Sequence, residues 1–452
     1  MASGMNKAIA AIILAAGKGT RMKSDLHKVL HPIAGRAMLL HLLDGLSGLD
    51  LAATVVVVGD KREQVEQALD GSGASVAVQD PQLGTAHAAL QAKDRLSGFD
   101  GLVLVCFGDC PSLTAATVRR LCEALDGDAR VAVLGFRPVD SGAYGRIIAD
   151  ANGHVRKMVE HKDATAEERA TDLCNSGVIV ARSQHMWRLL EAVGNDNAAG
   201  EYYLPDVAMG AIAEGARVVV VEADEHEVAG INSRAELAAA EAQWQAFKRE
   251  EAMANGASLR APETVWFSWD TELGRDVTIE PNVVFGPGVK IADNVVIRAH
   301  SHIEGASIAS GCEVGPFARL RPGTILDEKA KVGNFVETKK AHLGKGAKAN
   351  HLTYLGDATV GAGANIGAGT ITCNYDGYFK YQTVIGDNAF IGSNSALVAP
   401  VKIGQDAIVA AGSAVTRDVA DGELRLVRGE QLVKPGWADR FHDAMRKKKA
   451  GK

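Results

Sequence analysis

Near the start of the chain a turn of small residues carries basic side chains: Leu14-Ala15-Ala16-Gly17-Lys18-Gly19-Thr20-Arg21-Met22, followed by Lys28. An apolar run feeds this turn, so it reads as the end of a buried strand. Backbone amides in such a turn, helped by a helix N-terminus, cradle phosphate. The spacing matches neither common phosphate loop: no glycine stands five residues before Gly17, and Met22 occupies the place of a third fingerprint glycine. The turn alone leaves a phosphate cradle and an ordinary strand-to-helix connection both open. Two more positions have chemistry to offer. Asp109 follows an apolar run and could supply hard oxygen ligands to a cation, or merely cap a turn. His351 falls among turn residues; an imidazole is the side chain suited to general-base work near neutral pH, although a solvated turn histidine is the commoner occurrence.

Two kinds of architecture must position these groups. Up to about residue 232, short apolar runs (9–14, 54–58, 76–79, 102–106, 131–135, 178–180, 218–221) alternate with helical stretches, the pattern of a mostly parallel sheet covered on both faces. Ser233-Arg234-Ala235-Glu236 then forms a capping box that opens a helix through about Asn255, stopped by Gly256. From Leu273 the period becomes six: Leu273, Ile279, Phe285, Ile291, Ile297 and Ile303, then Ile308, Val314 and Leu320, and later Ile385, Ile391, Leu397, Ile403, Val409 and Val415. That period, with glycine often after the aliphatic, predicts a parallel β-helix in which each hexad makes one strand and one turn. The stretch 373–381 interrupts it with four aromatics and is expected to be an ejected, functional loop. The expected domains are 5–232, a linker helix 233–256, and 257–452, ending in a basic tail (445–452) expected to be disordered.

Composition narrows the classes. A length of 452 residues demands more than one core. A net charge of −6 with 23% charged and 47% hydrophobic residues argues against a nucleic-acid footprint and against wholesale disorder. Six cysteines scattered without a CxxC fit a reduced, cytoplasmic protein better than a disulfide framework or zinc site. The run Ala8–Ala16 after Lys7 resembles a secretory h-region, but it passes straight into the glycine turn. No stretch reaches the roughly 18 apolar residues of a membrane span, so neither membrane nor nucleic acid is expected as a partner.

LAAGKGTRM with Lys28 resembles the opening of the sugar-1-phosphate nucleotidylyltransferases. With the hexapeptide half, residues 7–437 resemble the bacterial bifunctional N-acetylglucosamine-1-phosphate uridylyltransferase/glucosamine-1-phosphate acetyltransferases. The resemblance rests on Gln79, Leu83-Gly84-Thr85, Phe107-Gly108-Asp109, Tyr144-Gly145-Arg146, Glu160-His161-Lys162-Asp163, Asn175-Ser176-Gly177, Gly200-Glu201-Tyr202-Tyr203 and Gly230-Ile231-Asn232. In the second half it rests on residues 317–323, 337–340, 351–357 and 374–377. It implies a Rossmann-like α/β nucleotidylyltransferase domain, a long linker helix and a left-handed parallel β-helix of hexapeptide repeats that packs as a homotrimer. It also implies acetylation of glucosamine-1-phosphate from acetyl-CoA, then Mg²⁺-dependent uridylyl transfer from UTP.

Carried over residue by residue, the resemblance puts Mg²⁺ on Asp109 and Asn232 and polyphosphate charge on Lys18, Arg21 and Lys28. Nucleotide contacts fall to Leu14, Ala15, Ala16, Gly17, Gln79, Gly84, Thr85, Phe107 and Gly108, and sugar contacts to Gly145, Glu160 and Asn175. In the β-helix it makes His351 the general base. Arg321, Lys339, Tyr354 and Lys380 become the phosphate clamp, and Asn365 and Asn374 sugar contacts. Ala368, Asn374, Tyr375, Ser393, Ala411 and Arg428 become acetyl-CoA contacts. Two departures stand out: Phe107 where relatives commonly carry tyrosine, and His27 where a proline is common, which is expected to leave the Lys28 loop less rigid. A single-activity nucleotidylyltransferase with a structural β-helix is the alternative.

Overall fold

The computed structural model describes residues 8–451, so Lys7, the first residues of the expected 5–232 domain and Lys452 lie outside it. The chain divides into two compact units, 1–245 and 246–452, the division falling within the helix Arg234–Ala254.

In the first unit seven strands make the main path of a nine-stranded sheet: β1 (Ile9–Ala15), β2 (Ala53–Val58), β3 (Ser75–Val78), β4 (Leu102–Phe107), β5 (Ala129–Phe136), β6 (Cys174–Arg182) and β7 (Arg217–Glu222), in the order β7-β5-β6-β4-β1-β2-β3. All neighbours are parallel except β6, which is antiparallel to both β4 and β5. Alternation along β1 explains the continuous apolar run. Ile12 and Leu14 pack into one buried cluster and Ala11 and Ile13 into another, so both faces of the sheet are covered. A hairpin that the sequence pattern did not reveal, Arg146–Ala149 with Val155–Val159, joins this sheet through β6. Neither strand alternates: Ile147 and Ile148 are adjacent in one, and Arg156 and Lys157 in the other. The predicted capping box forms: Ser233 Oγ accepts from the Glu236 amide at 3.3 Å while the Glu236 carboxylate accepts from the Ser233 amide at 3.0 Å.

The second unit is the left-handed β-helix. Parallel pairing joins Leu273 to Ile291, Ile291 to Ile308 and Ile308 to Leu326, so one coil consumes 17 or 18 residues and stacks inward side chains directly on one another. The period continues through 326–372, where the sequence marks it by the glycines after Val332, Leu343, Leu355, Val360 and Ile366 and not by an unbroken run of aliphatics. Val332, Thr338, Leu343, Ala349, Leu355, Val360, Ile366 and Thr372 are all buried there, with threonine and alanine in places of aliphatics. Corners fall three residues after each inward side chain. At Asp276, Asn282, Asn294, His300, Phe317 and Phe335 they adopt φ between 55° and 61°, the left-handed region that Asn and Asp tolerate best. Glycine after the inward residue answers a different need. A Cβ on Gly361 would lie 2.5 Å from the backbone nitrogen of Asp387 on the next coil.

Ile366 pairs with Ile391, a step of 25 residues instead of 17 or 18, and the surplus is the aromatic loop, where Tyr378 and Phe379 stand exposed. The tail departs from expectation: Trp437–Ala450 is an α-helix, and all its residues are exposed. Its lysines carry high helix propensity and sit in the last turn, facing the negative end of the helix dipole.

Gly361→Ala should lower the stability of the β-helix by about 1–3 kcal/mol through overpacking against the next coil. Gly194→Ala, at an exposed position with nothing within 4 Å, should leave unfolding unchanged. Calorimetry of the two variants checks the contrast.

Candidate active sites

The C-terminal end of β1 runs into the glycine turn, and the ends of β1 and β4 lie side by side through Leu14 paired with Phe107. A depression of about 500 Å³ opens there. Leu14, Ala15, Ala16, Gly17, Lys18, Lys28, Gln79, Gly84, Thr85, Phe107, Asp109 and Asn232 all line it. Gly108 is buried beside it, its amide donating to the Leu14 carbonyl at 3.0 Å. Arg21 does not line the depression; it is exposed on the short 3-10 turn Thr20–Met22.

The floor of the depression joins three distant segments. The Lys28 ammonium donates to the Asp109 carboxylate and, at 2.8 Å, to Asn232 Oδ1, with the Lys28 and Asp109 side chains only 15% and 13% exposed. Asn232 is fixed in turn, donating from Nδ2 to the Gly230 carbonyl at 3.0 Å. The buried Gln79 donates to the Gly84 carbonyl at 2.9 Å, and a Cβ on Gly84 would sit 2.5 Å from the Tyr202 carbonyl oxygen. That close approach and a φ of 118° explain the glycine.

The His27 departure has a structural answer. His27 takes φ −59°, the value proline would impose, and its amide donates to Gln64 Oε1 at 2.8 Å, a bond proline could not make. The loop expected to be less rigid is therefore tethered, and burial lowers the imidazole pKa. Sequence reasoning also missed Gln82, which lines the depression and donates to the Ala16 carbonyl at 2.6 Å; nothing in its spacing marks it.

Gly145, Glu160 and Asn175 form a separate group. The Asn175 amide donates to the Gly145 carbonyl at 2.9 Å, and a Cβ on Gly145 would meet Glu160 Oε1 at 3.3 Å. Burial, then the Asp163 and Asp206 charges, raises the Glu160 pKa. The loop before Gly145 is held by the buried Arg146 guanidinium, which donates to the carbonyls of Ser141 at 3.2 Å and Gly142 at 3.3 Å.

In the β-helix, register generates the second site. Asn334 pairs with His351, and positions 332, 349, 366, 391 and 409 follow one another in the same sheet. Two residues beyond each lie Asn334, His351, Ala368, Ser393 and Ala411, so these five form a single column along one edge. Asn365 sits in the same sheet beside Lys348. Arg428 approaches the column's end, its Cδ 3.7 Å from where a Gly412 Cβ would lie.

Arg321 and Lys339 occupy consecutive coils of the adjoining face, with the Arg321 amide bonded to the Thr338 carbonyl at 2.9 Å and its guanidinium paired to Glu337 at 2.9 Å. The nearby Lys380 and Arg321 cations lower the Lys339 pKa. Tyr354 pairs with Glu337. Asn374 is buried at the root of the loop and donates to Asp357 Oδ2 at 2.5 Å, whereas Tyr375 is exposed.

Residues 11–199 match the MobA-like NTP transferase domain, 270–305 the bacterial transferase hexapeptide (six repeats), and 382–417 the hexapeptide repeat of succinyl-transferase. The Bifunctional protein GlmU of Sphingopyxis alaskensis is 72% identical over 448 residues, covering 99% of both chains. That of Novosphingobium aromaticivorans is 68% identical over 451 residues, covering 99% of this chain and all of the relative. The chain belongs to the GlmU family. The GlmU protein of Zymomonas mobilis, 56% identical over 447 residues, extends the likeness across 98% of this chain. As a GlmU-family protein the chain is a bifunctional transferase, with uridylyl transfer in the nucleotidyltransferase half and acetylation in the hexapeptide half. The reading of its β-helix as a purely structural module is overturned.

Measured in chelator and without nucleotide, Lys28→Met should cost about 1–3 kcal/mol of unfolding free energy in urea, because Asp109 and Asn232 lose their shared donor. An unchanged midpoint would mean that the bridge contributes nothing.

Proposed function

We propose that the chain makes UDP-N-acetylglucosamine: it acetylates glucosamine-1-phosphate with acetyl-CoA, then transfers uridylate from UTP to N-acetylglucosamine-1-phosphate with release of pyrophosphate. The product would feed peptidoglycan and lipopolysaccharide synthesis in the cytoplasm. The observation that carries the uridylyl half is the convergence of Lys28, Asp109 and Asn232 beneath the glycine turn, across as many as 204 residues of chain. Two oxygens that already share one ammonium suit one cation, so Asp109 and Asn232 fit as Mg²⁺ ligands. When bound, the ion would neutralise polyphosphate charge. Lys18 and Lys28 present ammonium groups to the phosphates, and the exposed Arg21 adds positive charge from the neighbouring turn. Gly84, Thr85 and Gln79 receive the nucleotide, while Gly145, Glu160 and Asn175 receive the N-acetylglucosamine group.

For acetyl transfer, the column of His351, Ala368, Ser393 and Ala411 supports a thioester lying along the edge above the base. Arg321, Lys339, Tyr354 and Lys380 would hold the sugar phosphate, and Asn365 and Asn374 the sugar. His351 takes a proton from the glucosamine amine as its nitrogen attacks the thioester carbonyl. The C–S bond then breaks, and the proton passes to the departing thiolate. Acetyl-CoA contacts at Asn374, Tyr375 and Arg428, and a homotrimer completing each acetyl site between subunits, belong to the same proposal.

His351→Ala should abolish thiol release from acetyl-CoA and leave pyrophosphate formation from UTP and N-acetylglucosamine-1-phosphate intact; Asp109→Ala should do the reverse. Chelation with EDTA should stop pyrophosphate formation while thiol release continues, and uridylyl transfer that survives metal removal would refute the Asp109–Asn232 assignment.

A further inference from the structure

We propose that Asn334 is a positioning residue for acetyl transfer: its side-chain oxygen accepts the Nδ1 proton of His351 and so holds the imidazole in the tautomer whose Nε2 is free to act as base. The proposal rests on the reading of His351 as that base. His351 Nδ1 lies 2.7 Å from Asn334 Oδ1, and the two residues are register partners one coil apart. An amide oxygen can only accept, so the ring nitrogen facing it must carry hydrogen, and the lone pair falls to the other nitrogen.

The backbone around both residues leaves the ring little freedom. Each is the last residue of its strand, and each is followed by a corner at positive φ, Phe335 at 55° and Leu352 at 50°. The Leu352 amide donates to the Asn334 carbonyl at 3.0 Å, and Thr353 Oγ1 donates to the His351 carbonyl at 2.8 Å. Rotation of the side chain is what remains, and the bond to Asn334 removes it.

The neutrality of the partner has a function too. Asn334 and His351 line a depression of about 350 Å³ shared with Arg298, Glu313 and Lys331. Glu313 is ion-paired with both cations, and the hydrogen bond from Arg298 lowers its pKa. On the next coil Ala368 takes the equivalent place, and on the adjoining face Glu337 is committed to Arg321. No carboxylate is therefore bonded to the ring by any of these elements. A carboxylate in the place of Asn334 would stabilise the imidazolium and keep the base protonated at neutral pH. An amide orients the ring without that penalty.

The test compares pH–rate profiles of acetyl transfer for the full-length protein and its Asn334→Ala, Asn334→Asp and His351→Ala variants, with uridylyl transfer as the internal check on folding. Asn334→Ala should lower kcat about tenfold or more, as loss of a ring-orienting partner does, with KM for glucosamine-1-phosphate changed less than about twofold. Asn334→Asp should retain most of the high-pH plateau and move the acid limb upward by about one pH unit. A merely structural role would not move that limb. An Asn334→Ala kcat equal to the unmodified protein's, or an unshifted limb in Asn334→Asp, overturns the positioning role. Acetylation surviving in His351→Ala would instead remove the base itself, so the two failures are distinguishable.

Discussion

Parallel stacking at a fixed register is the constraint on which the hexapeptide half depends. Each inward side chain must sit on the one a coil earlier, and the backbone of the next coil must pass close enough to bond to it. From this follow the buried column of aliphatics, the glycines where a Cβ would strike the neighbouring coil, and the left-handed corners. Register also makes the site. Residues 17 and 25 apart in sequence become neighbours in one column, so the proposed base and its proposed thioester contacts need no convergence of distant loops. Even the exposed rings obey it: His300, Phe317 and Phe335 stack at successive corners, with centroids 4.8 and 5.2 Å apart.

The nucleotidyltransferase half reaches its site by the opposite route. Its reactive groups sit where adjacent parallel strands end, the place where a doubly wound sheet opens its ligand crevice. Lys28 comes from the segment after β1, Asp109 from the end of β4, and Asn232 from the chain leaving the sheet. The Lys28 ammonium holds the other two. Gln79 and Gly84 also line the depression, Gln79 bonding through its side chain to the Gly84 carbonyl and the Tyr202 backbone lying close against Gly84.

Much of this was legible in the sequence because the signals were periodic or chemically loud. The seven strands of the main path announced themselves as β-branched runs, the linker helix by its capping box, and the β-helix by hexads. Between 326 and 372 the glycines after the inward residues carried the signal, while Thr338, Ala349 and Thr372, inward residues without an aliphatic signature, broke the run of aliphatics. The hairpin at 146–159 escaped because neither strand alternates cleanly. The tail 445–452, expected to be disordered, is largely the end of the helix Trp437–Ala450; its basic run hid this because charge runs speak about solvent more than about backbone. Asn334, Gln82 and the Gln64 tether of His27 left no trace, since a side-chain amide that orients a neighbour has no spacing rule of its own.

The aromatic loop separates two lengths that are tied together in most folds. Along the β-helix axis each coil advances about 4.8 Å whatever its contour, so the step from Ile366 to Ile391 climbs no further than the step from Ala349 to Ile366. A corner can thus take up seven or eight extra residues as slack while every inward position above it keeps its height. Such a scaffold works as a ruler whose markings stay put when string is tied between them, and its remaining corners are places where new chain could be added without disturbing the scale.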